Sequence, residues 1–184
     1  MELKLEWKGP YGVNVETPEG MSGLSGLYAI AYNSKIIYIG KSSGERQHLF
    51  QESKQRYIAL ERALIELKQP LEYGDAQERR EKLDKIADEH CKKYVAILWD
   101  SSKRAYLDSA ENLLIFIKKP EGNDKLKKEY KGVKPFKLIN KGEASVLAAL
   151  GLGDYYVDSE GYIHRSNSVL STMQNNLHGN VNVK

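Results

Sequence analysis

Two β-rich runs, residues 27–32 (Leu-Tyr-Ala-Ile-Ala-Tyr) and 35–39 (Lys-Ile-Ile-Tyr-Ile), flank Asn33-Ser34 and read as a β-hairpin. Side chains alternate along a strand, so a one-residue change of pairing transfers all of them to the other face. With Asn33-Ser34 as a two-residue loop, Tyr32 pairs with Lys35 and Tyr28 with Ile39, which sends Tyr28 and Tyr38 to opposite faces. With Tyr32-Asn33-Ser34 as a three-residue loop, Ala31 lies opposite Lys35 and Tyr28 opposite Tyr38. Leu27, Ala29, Ala31, Ile37 and Ile39 then gather on the other face. Burial specifies register, and only this pairing separates an apolar face from a phenol-bearing one. The sequence predicts the three-residue loop, with both tyrosines on one side.

Around this hairpin the pattern is mixed. Leu3, Leu5 and Trp7 alternate as a short strand ended by Gly9-Pro10, which reads as an N-terminal edge strand or hairpin. Ser43 or Gly44 can start a helix in which Tyr57, Leu60, Leu64 and Leu67 recur at helical spacing until Gln69-Pro70. A second helix follows Tyr73-Gly74, with Leu83, Ile86, Ala87 and His90 on one face. Residues 94–99 form a continuous apolar run and predict a strand in the middle of the sheet. Asp100, Ser101 or Ser102 can cap a third helix whose core stripe is Ala110, Leu113, Leu114 and Ile117. Beyond a lysine-rich stretch, residues 143–150 read as a short helix closed by Gly151, and residues 155–157 and 162–164 as a hairpin. Residues 166–184, rich in Asn and Ser, read as a flexible tail.

A chain of 184 residues suffices for one compact body. No apolar run approaches the ~20 residues of a membrane span, and the alternating N-terminus lacks a secretory signal, so the expectation is a cytoplasmic protein with no membrane partner. The single cysteine, Cys91, leaves no internal disulfide or cysteine-cluster metal site and reads as a packing residue. A net charge of +3 neither demands nor excludes a nucleic-acid partner, but its distribution is uneven. Residues 118–137 carry eight lysines against three acids, whereas residues 72–90 hold seven acids against four basic residues. The lysine stretch reads either as a phosphate-attracting side or as a solvated loop. The four histidines have no metal-ligand spacing, and there is no phosphate-cradling glycine loop.

Ser25-Gly26-Leu27-Tyr28 precedes Tyr38-Ile39-Gly40-Lys41 by ten residues, and the helix bearing Glu111 ends in Pro120-x-x-Asn123. Over residues 25–123 this ordered series resembles the GIY-YIG nuclease family, with Leu27 in place of isoleucine. The resemblance implies an α/β protein with a GIY-YIG-like fold: a small central, mainly antiparallel sheet flanked by three helices, with extra N- and C-terminal strands. The corresponding division is residues 1–22 as an N-terminal extension, 23–124 as the nuclease core, 125–165 as a basic segment with short helix and hairpin, and 166–184 as the tail.

The resemblance further implies metal-dependent DNA cleavage of a restriction type. The alternatives are a mobile-element or repair nuclease, or an inactive DNA-binding module on the same fold. Hydrolysing a phosphodiester needs an activated water, charge stabilisation on the phosphoryl oxygens and help for the departing oxygen. Tyr28 is the candidate base, Tyr38 a hydrogen-bonding partner of the water or phosphate, and Lys41 a cation near phosphate or near Tyr28. Gly40 is read as allowing a tight turn. Glu111, at the edge of the buried helical stripe, is the candidate ligand for Mg²⁺ or Mn²⁺. The family's arginine falls at His48 by spacing; Arg46 is the nearest arginine and is assigned phosphate clamping, with Arg56 and His48 as rivals. Asn123 would hold the glutamate or the substrate backbone, or serve as a turn residue, and Lys118 and Lys119 are candidate substrate contacts. The implied partner is double-stranded DNA, with a homodimer as the assembly that would supply two active sites.

Overall fold

The computed structural model describes residues 1–13, 18, 20–42, 55–123 and 128–166, with the side chains of Gln55 and Arg56 outside that set. The described chain is mixed α/β. Its strands are β1 (Glu2–Tyr11), β2 (Gly26–Tyr32), β3 (Lys35–Ser42), β4 (Cys91–Ile97), β5 (Phe136–Gly142), β6 (Asp154–Val157) and β7 (Ile163–Ser166). They form one sheet in the order β3-β2-β4-β1-β5-β6-β7. Every pairing is antiparallel except β1 with β5. The expected mainly antiparallel sheet is present, but β1 lies in its interior and not at an edge. The strand that covers it is β5, hidden in sequence because its outward positions, including Lys137 and Lys141, extend the lysine-rich stretch.

Among the described residues four helices flank the sheet: α1 (Gln55–Glu66), α2 (Ala76–His90), α3 (Leu107–Lys118) and the short α4 (Ala144–Leu150). Leu3, Leu5, Trp7, Leu27, Ala29, Ile39, Tyr94 and Ala96 point to one face, where Ala110, Leu113 and Leu114 of α3 and Val146 and Leu150 of α4 cover them. The opposite face of β2 and β3 presents Ile30, Tyr32 and Ile37 to Ala59, Leu60 and Leu64 of α1 and to Leu83 and Ala87 of α2. Cys91 is buried in that second cluster. Helix starts follow the capping chemistry of their sequences. Asp75 accepts from the N–H groups of Gln77 and Glu78 at 2.8 and 2.9 Å, and Asp100 accepts from Ser102 N–H to start a 3-10 turn over Ser101–Tyr106 ahead of α3.

The hairpin corrects the expected register while retaining its consequence. Asn33 and Ser34, both at positive φ (46° and 69°), make a two-residue loop with Tyr32 opposite Lys35. A bulge follows, in which Ala31 pairs with Ile36 but Ile30 with Tyr38, leaving Ile37 as the extra residue. From there Tyr28 lies opposite Gly40, so Tyr28 and Tyr38 share a face after all. The same bulge moves Ile37 out of the expected apolar set and into the cluster with Ile30 and α1. β4 begins at Cys91, three residues before the apolar run, and ends at Ile97.

The lysine stretch is not simply a solvated loop. Tyr130 is buried against the α3 side of the core, and Ser109 and Asn112 of α3 accept hydrogen bonds from the backbone N–H groups of Val133 and Lys131. Among the described residues no helix is long and apolar enough to cross a membrane.

Candidate active site

β3 is one of the sheet's two edge strands, and its outward backbone groups determine what gathers beside it. Gly122 N–H donates to Ile37 C=O at 2.8 Å, while Asn123 uses both ends of its amide on Ile39. Its Oδ1 accepts from Ile39 N–H at 2.9 Å and its Nδ2 donates to Ile39 C=O at 2.7 Å. Further along, the Lys41 N–H donates to the Glu111 carboxylate. The segment after α3 and one glutamate of α3 thus close the edge as another strand would. The turn following α3 and the glutamate within it are set against the motif hairpin by backbone hydrogen bonds.

On the shared face, the rings of Tyr28 and Tyr38 lie 5.9 Å apart at 38°. The two side chains hydrogen-bond to each other. Burial, then the charge and hydrogen bond of Tyr28, then the charge of Glu111, hold the Tyr38 phenol far above its usual range. Tyr38 therefore keeps its proton and acts as a donor. Burial also raises the Glu111 carboxyl above its ordinary value, opposed by Lys41 charge and by the Lys41 N–H. Tyr28, Tyr38 and Glu111 form one group of interacting side chains.

Gly40 serves this group differently from expectation. It lies within β3, not at a turn, and a Cβ placed on it would stand 2.6 Å from Tyr28 Cζ and 2.7 Å from its hydroxyl oxygen. The Tyr28 ring lies across the bare Cα of Gly40, its cross-strand partner.

The other expected residues fall in several places. Lys41 pairs with Leu27 and so projects to the α3 side of the hairpin, away from the tyrosine face, where its ammonium pairs with Asp108 at the start of α3. Asn123 is 9% exposed, and its amide is committed to Ile39. Lys118 donates to Gly151 C=O at 2.5 Å and so ties α3 to the end of α4. Lys119 closes α3 in a left-handed conformation, its ammonium 5.9 Å from the Phe116 ring centroid. Arg46 and His48 lie outside the described residues, as does the Arg56 side chain.

One residue in this site was not singled out from the sequence. Lys93 on β4 is 2% exposed, and its Nζ lies 5.4 Å from the Tyr28 ring centroid. The signal was the alternation Cys91, Lys93, Val95, Ile97, which continues the strand pattern two steps before the apolar run. A lysine on the inward phase of that alternation reads as the strand's end.

Among the described residues no three or more His, Cys, Asp or Glu side chains assemble as a metal cluster. A site built on Glu111 would be of the single-carboxylate kind, completed by water and phosphate oxygens, which suits Mg²⁺. Glu111 has the chemistry for it: a hard oxygen donor, largely withdrawn from water, whose charge is only partly answered by Lys41.

A cleft of about 960 Å³ lies elsewhere, along β1 beside Trp99. Its lining carries four acids against four lysines, so it offers a polyanion no net attraction. Comparison of the chain with protein-family models, with curated proteins and with solved structures finds no match.

Proposed function

We propose that this chain is a divalent-metal-dependent endonuclease that hydrolyses phosphodiester bonds of duplex DNA, in the manner of the GIY-YIG nucleases its motifs resemble. The observation carrying this reading is the pairing of Tyr28 with Tyr38 on one face of the edge hairpin, with the charge of Glu111, more than seventy residues away in sequence, acting on Tyr38. Burial above all holds the Tyr38 phenol protonated, which suits it to a donor's role. Tyr38, held protonated, donates to a phosphoryl oxygen or to the attacking water. Tyr28 accepts the water's proton. Glu111 would hold the metal ion, which when bound supplies positive charge at the phosphoryl group and acidifies water. Lys41, paired with Asp108, contributes its backbone N–H to the orientation of Glu111.

The test is incubation of supercoiled plasmid with the protein and Mg²⁺ or Mn²⁺, with and without chelator. Chelator-sensitive nicking or linearisation is expected, with Glu111→Gln and Tyr28→Phe each at least 100-fold slower while a gel shift of duplex DNA persists. Intact plasmid under every metal condition overturns the reading, and retardation without cleavage would make the chain a DNA-binding module. Discrete fragments would assign the restriction role, and sedimentation on DNA would report whether two copies act together.

A further inference from the structure

Lys118 at the end of α3 and Arg165 of β7 meet at one atom. Lys118 Nζ donates to Gly151 C=O at 2.5 Å, and Arg165 Nη2 donates to the same oxygen at 3.4 Å. The two nitrogens therefore lie within about 6 Å of each other, close enough to repel. The turn between α4 and β6 is bare where they approach. Gly151 closes α4 at φ 58°, and a Cβ on it would stand 3.0 Å from Lys118 Nζ. A Cβ on Gly153 would stand 2.9 Å from Arg165 Nε. Arg165 pairs with Tyr155, whose buried ring belongs to the core under α3 and α4, so both cations are on the helix-covered face.

Positive charge here exceeds what the turn needs. The carbonyl end of a helix carries about half a negative charge, and two full positive charges converge on this one. Burial, then the charge of Arg165, lowers the Lys118 ammonium from its ordinary value. Among the described residues no carboxylate forms an ion pair with either cation; the nearby Asp154 accepts from Asn140 N–H at 3.0 Å. Residues 167–184, which follow β7, contain no Asp or Glu.

We propose that Lys118, Arg165 and the Gly151–Gly153 turn form a phosphate-binding subsite, in which the lysine supplies a point charge and the guanidinium its fork of N–H donors to the phosphoryl oxygens. Lys118 has three donors and spends one on Gly151, and Arg165 spends one on a long bond to the same oxygen. The nuclease reading supplies the source, a phosphodiester of DNA, and the proposal rests on that reading for the source alone; inorganic phosphate is the other. Glu111 and Lys118 leave α3 from the same side, two turns and about 10 Å apart along its axis, which is about three base-pair rises of a duplex. A strand cut beside Glu111 thus has another phosphate within reach of the subsite.

The test uses the full chain, Lys118→Met, Arg165→Met, the double variant and, as a control for net charge, Lys85→Met at an exposed position of α2. Circular dichroism melts establish that each is folded. Sodium phosphate, titrated against sodium chloride at equal ionic strength and followed by amide NMR, should shift Gly151, Leu152 and Gly153 in wild type and in Lys85→Met but not in the double variant. Duplex affinity in chelator should fall about tenfold in the double variant. Its slope of log affinity against log salt should become shallower by about 0.9, the value of one phosphate contact, whereas Lys85→Met keeps the wild-type slope. Capping of α4 alone would lower stability and leave that slope unchanged. Should the methionine variants fail to fold, Lys118→Gln and Arg165→Gln carry the same comparison. Either response, lost with both cations, supports the subsite: the slope assigns it to DNA, and amide shifts alone assign it to free phosphate. A turn that does not respond to phosphate, together with a wild-type salt slope in the folded double variant, overturns the proposal. If wild type binds no duplex, the nuclease reading fails, and the phosphate titration still decides the subsite.

Discussion

Tyr28 and Gly40 are cross-strand partners, and the tyrosine ring occupies the space a side chain at position 40 would need. Gly40→Ala must push that ring aside, because the new Cβ would lie 2.6 Å from Cζ. Overpacking of this kind costs about 1–3 kcal/mol. Displacing a catalytic group by about 1 Å can cost on the order of 100-fold in rate. The expected outcome is a folded protein with a lowered melting temperature and a roughly 100-fold loss of plasmid cleavage. Wild-type activity in Gly40→Ala would show that the position of Tyr28 is unimportant.

Asn123 separates structural from substrate-binding roles. Its amide completes the edge of β3 at Ile39, so Asn123→Ala strands a buried N–H and C=O. Leaving such groups unpaired costs about 1–3 kcal/mol each, less where water enters. Urea denaturation should register a loss of about 2–3 kcal/mol. Duplex affinity of the folded fraction, measured in chelator, should stay within twofold of wild type.

Glu111 should trade stability for activity. Its carboxyl is raised above the ordinary glutamate value of 4.5 chiefly by burial, so the native state holds its proton to higher pH than the unfolded chain does. Stability therefore falls as pH rises from 4.5 through the folded value, and the penalty persists above it. Glu111→Gln keeps an acceptor for Lys41 N–H and removes the charge. In chelator it should be about 0.5–1 kcal/mol more stable than wild type at pH 7, with the difference vanishing below the ordinary glutamate range. Thermal melts across that interval test the sign.

Lys35 and Glu121 pin the loop end of the hairpin to the segment after α3. Burial opposes ionisation of Glu121, but the hydrogen bond from Lys35 outweighs it and the carboxyl is lowered overall; Lys35 is correspondingly raised. The pair's contribution is present above the unfolded glutamate value of 4.5 and is lost as pH falls through the lower folded value. At the alkaline end it is complete below 10.5 and lost as pH rises through the folded lysine value. With the Lys35 side chain 56% exposed, screening limits the contribution to about 1 kcal/mol. Glu121→Gln should lower stability by that amount at pH 7 and converge on wild type as pH falls below the folded glutamate value in denaturant titrations.

Much of the fold was legible because periodicity and capping are local. Leu83 and Ala87 announced the buried face of α2, Ala110, Leu113 and Leu114 that of α3, and Gly151 closes α4 at positive φ where the sequence places it. What escaped were residues whose chemistry conflicts with their burial or whose partners are remote. Lys93 stands just ahead of the apolar run and is buried although charged, and β5 was concealed among lysines that face outward. β1 read as an edge because nothing local reveals that a strand more than a hundred residues later will pair with it. The proposed site was legible as a set of residues, but the roles of Gly40, Lys41 and Asn123 depend on contacts across the hairpin and to α3.

By itself the chain determined its helices, most of its strands and the identity of two phenols and an acid in ordered motifs, since these follow from spacing along a few residues. Tertiary structure alone decided the bulge at Ile37 that returns Tyr28 and Tyr38 to one face, the closure of the β3 edge by Asn123 and Glu111, and the burial of Lys93 beside Tyr28. Strand register and edge pairing are set by burial and backbone hydrogen bonds between distant segments, and a side chain's surroundings exist only once those segments have met.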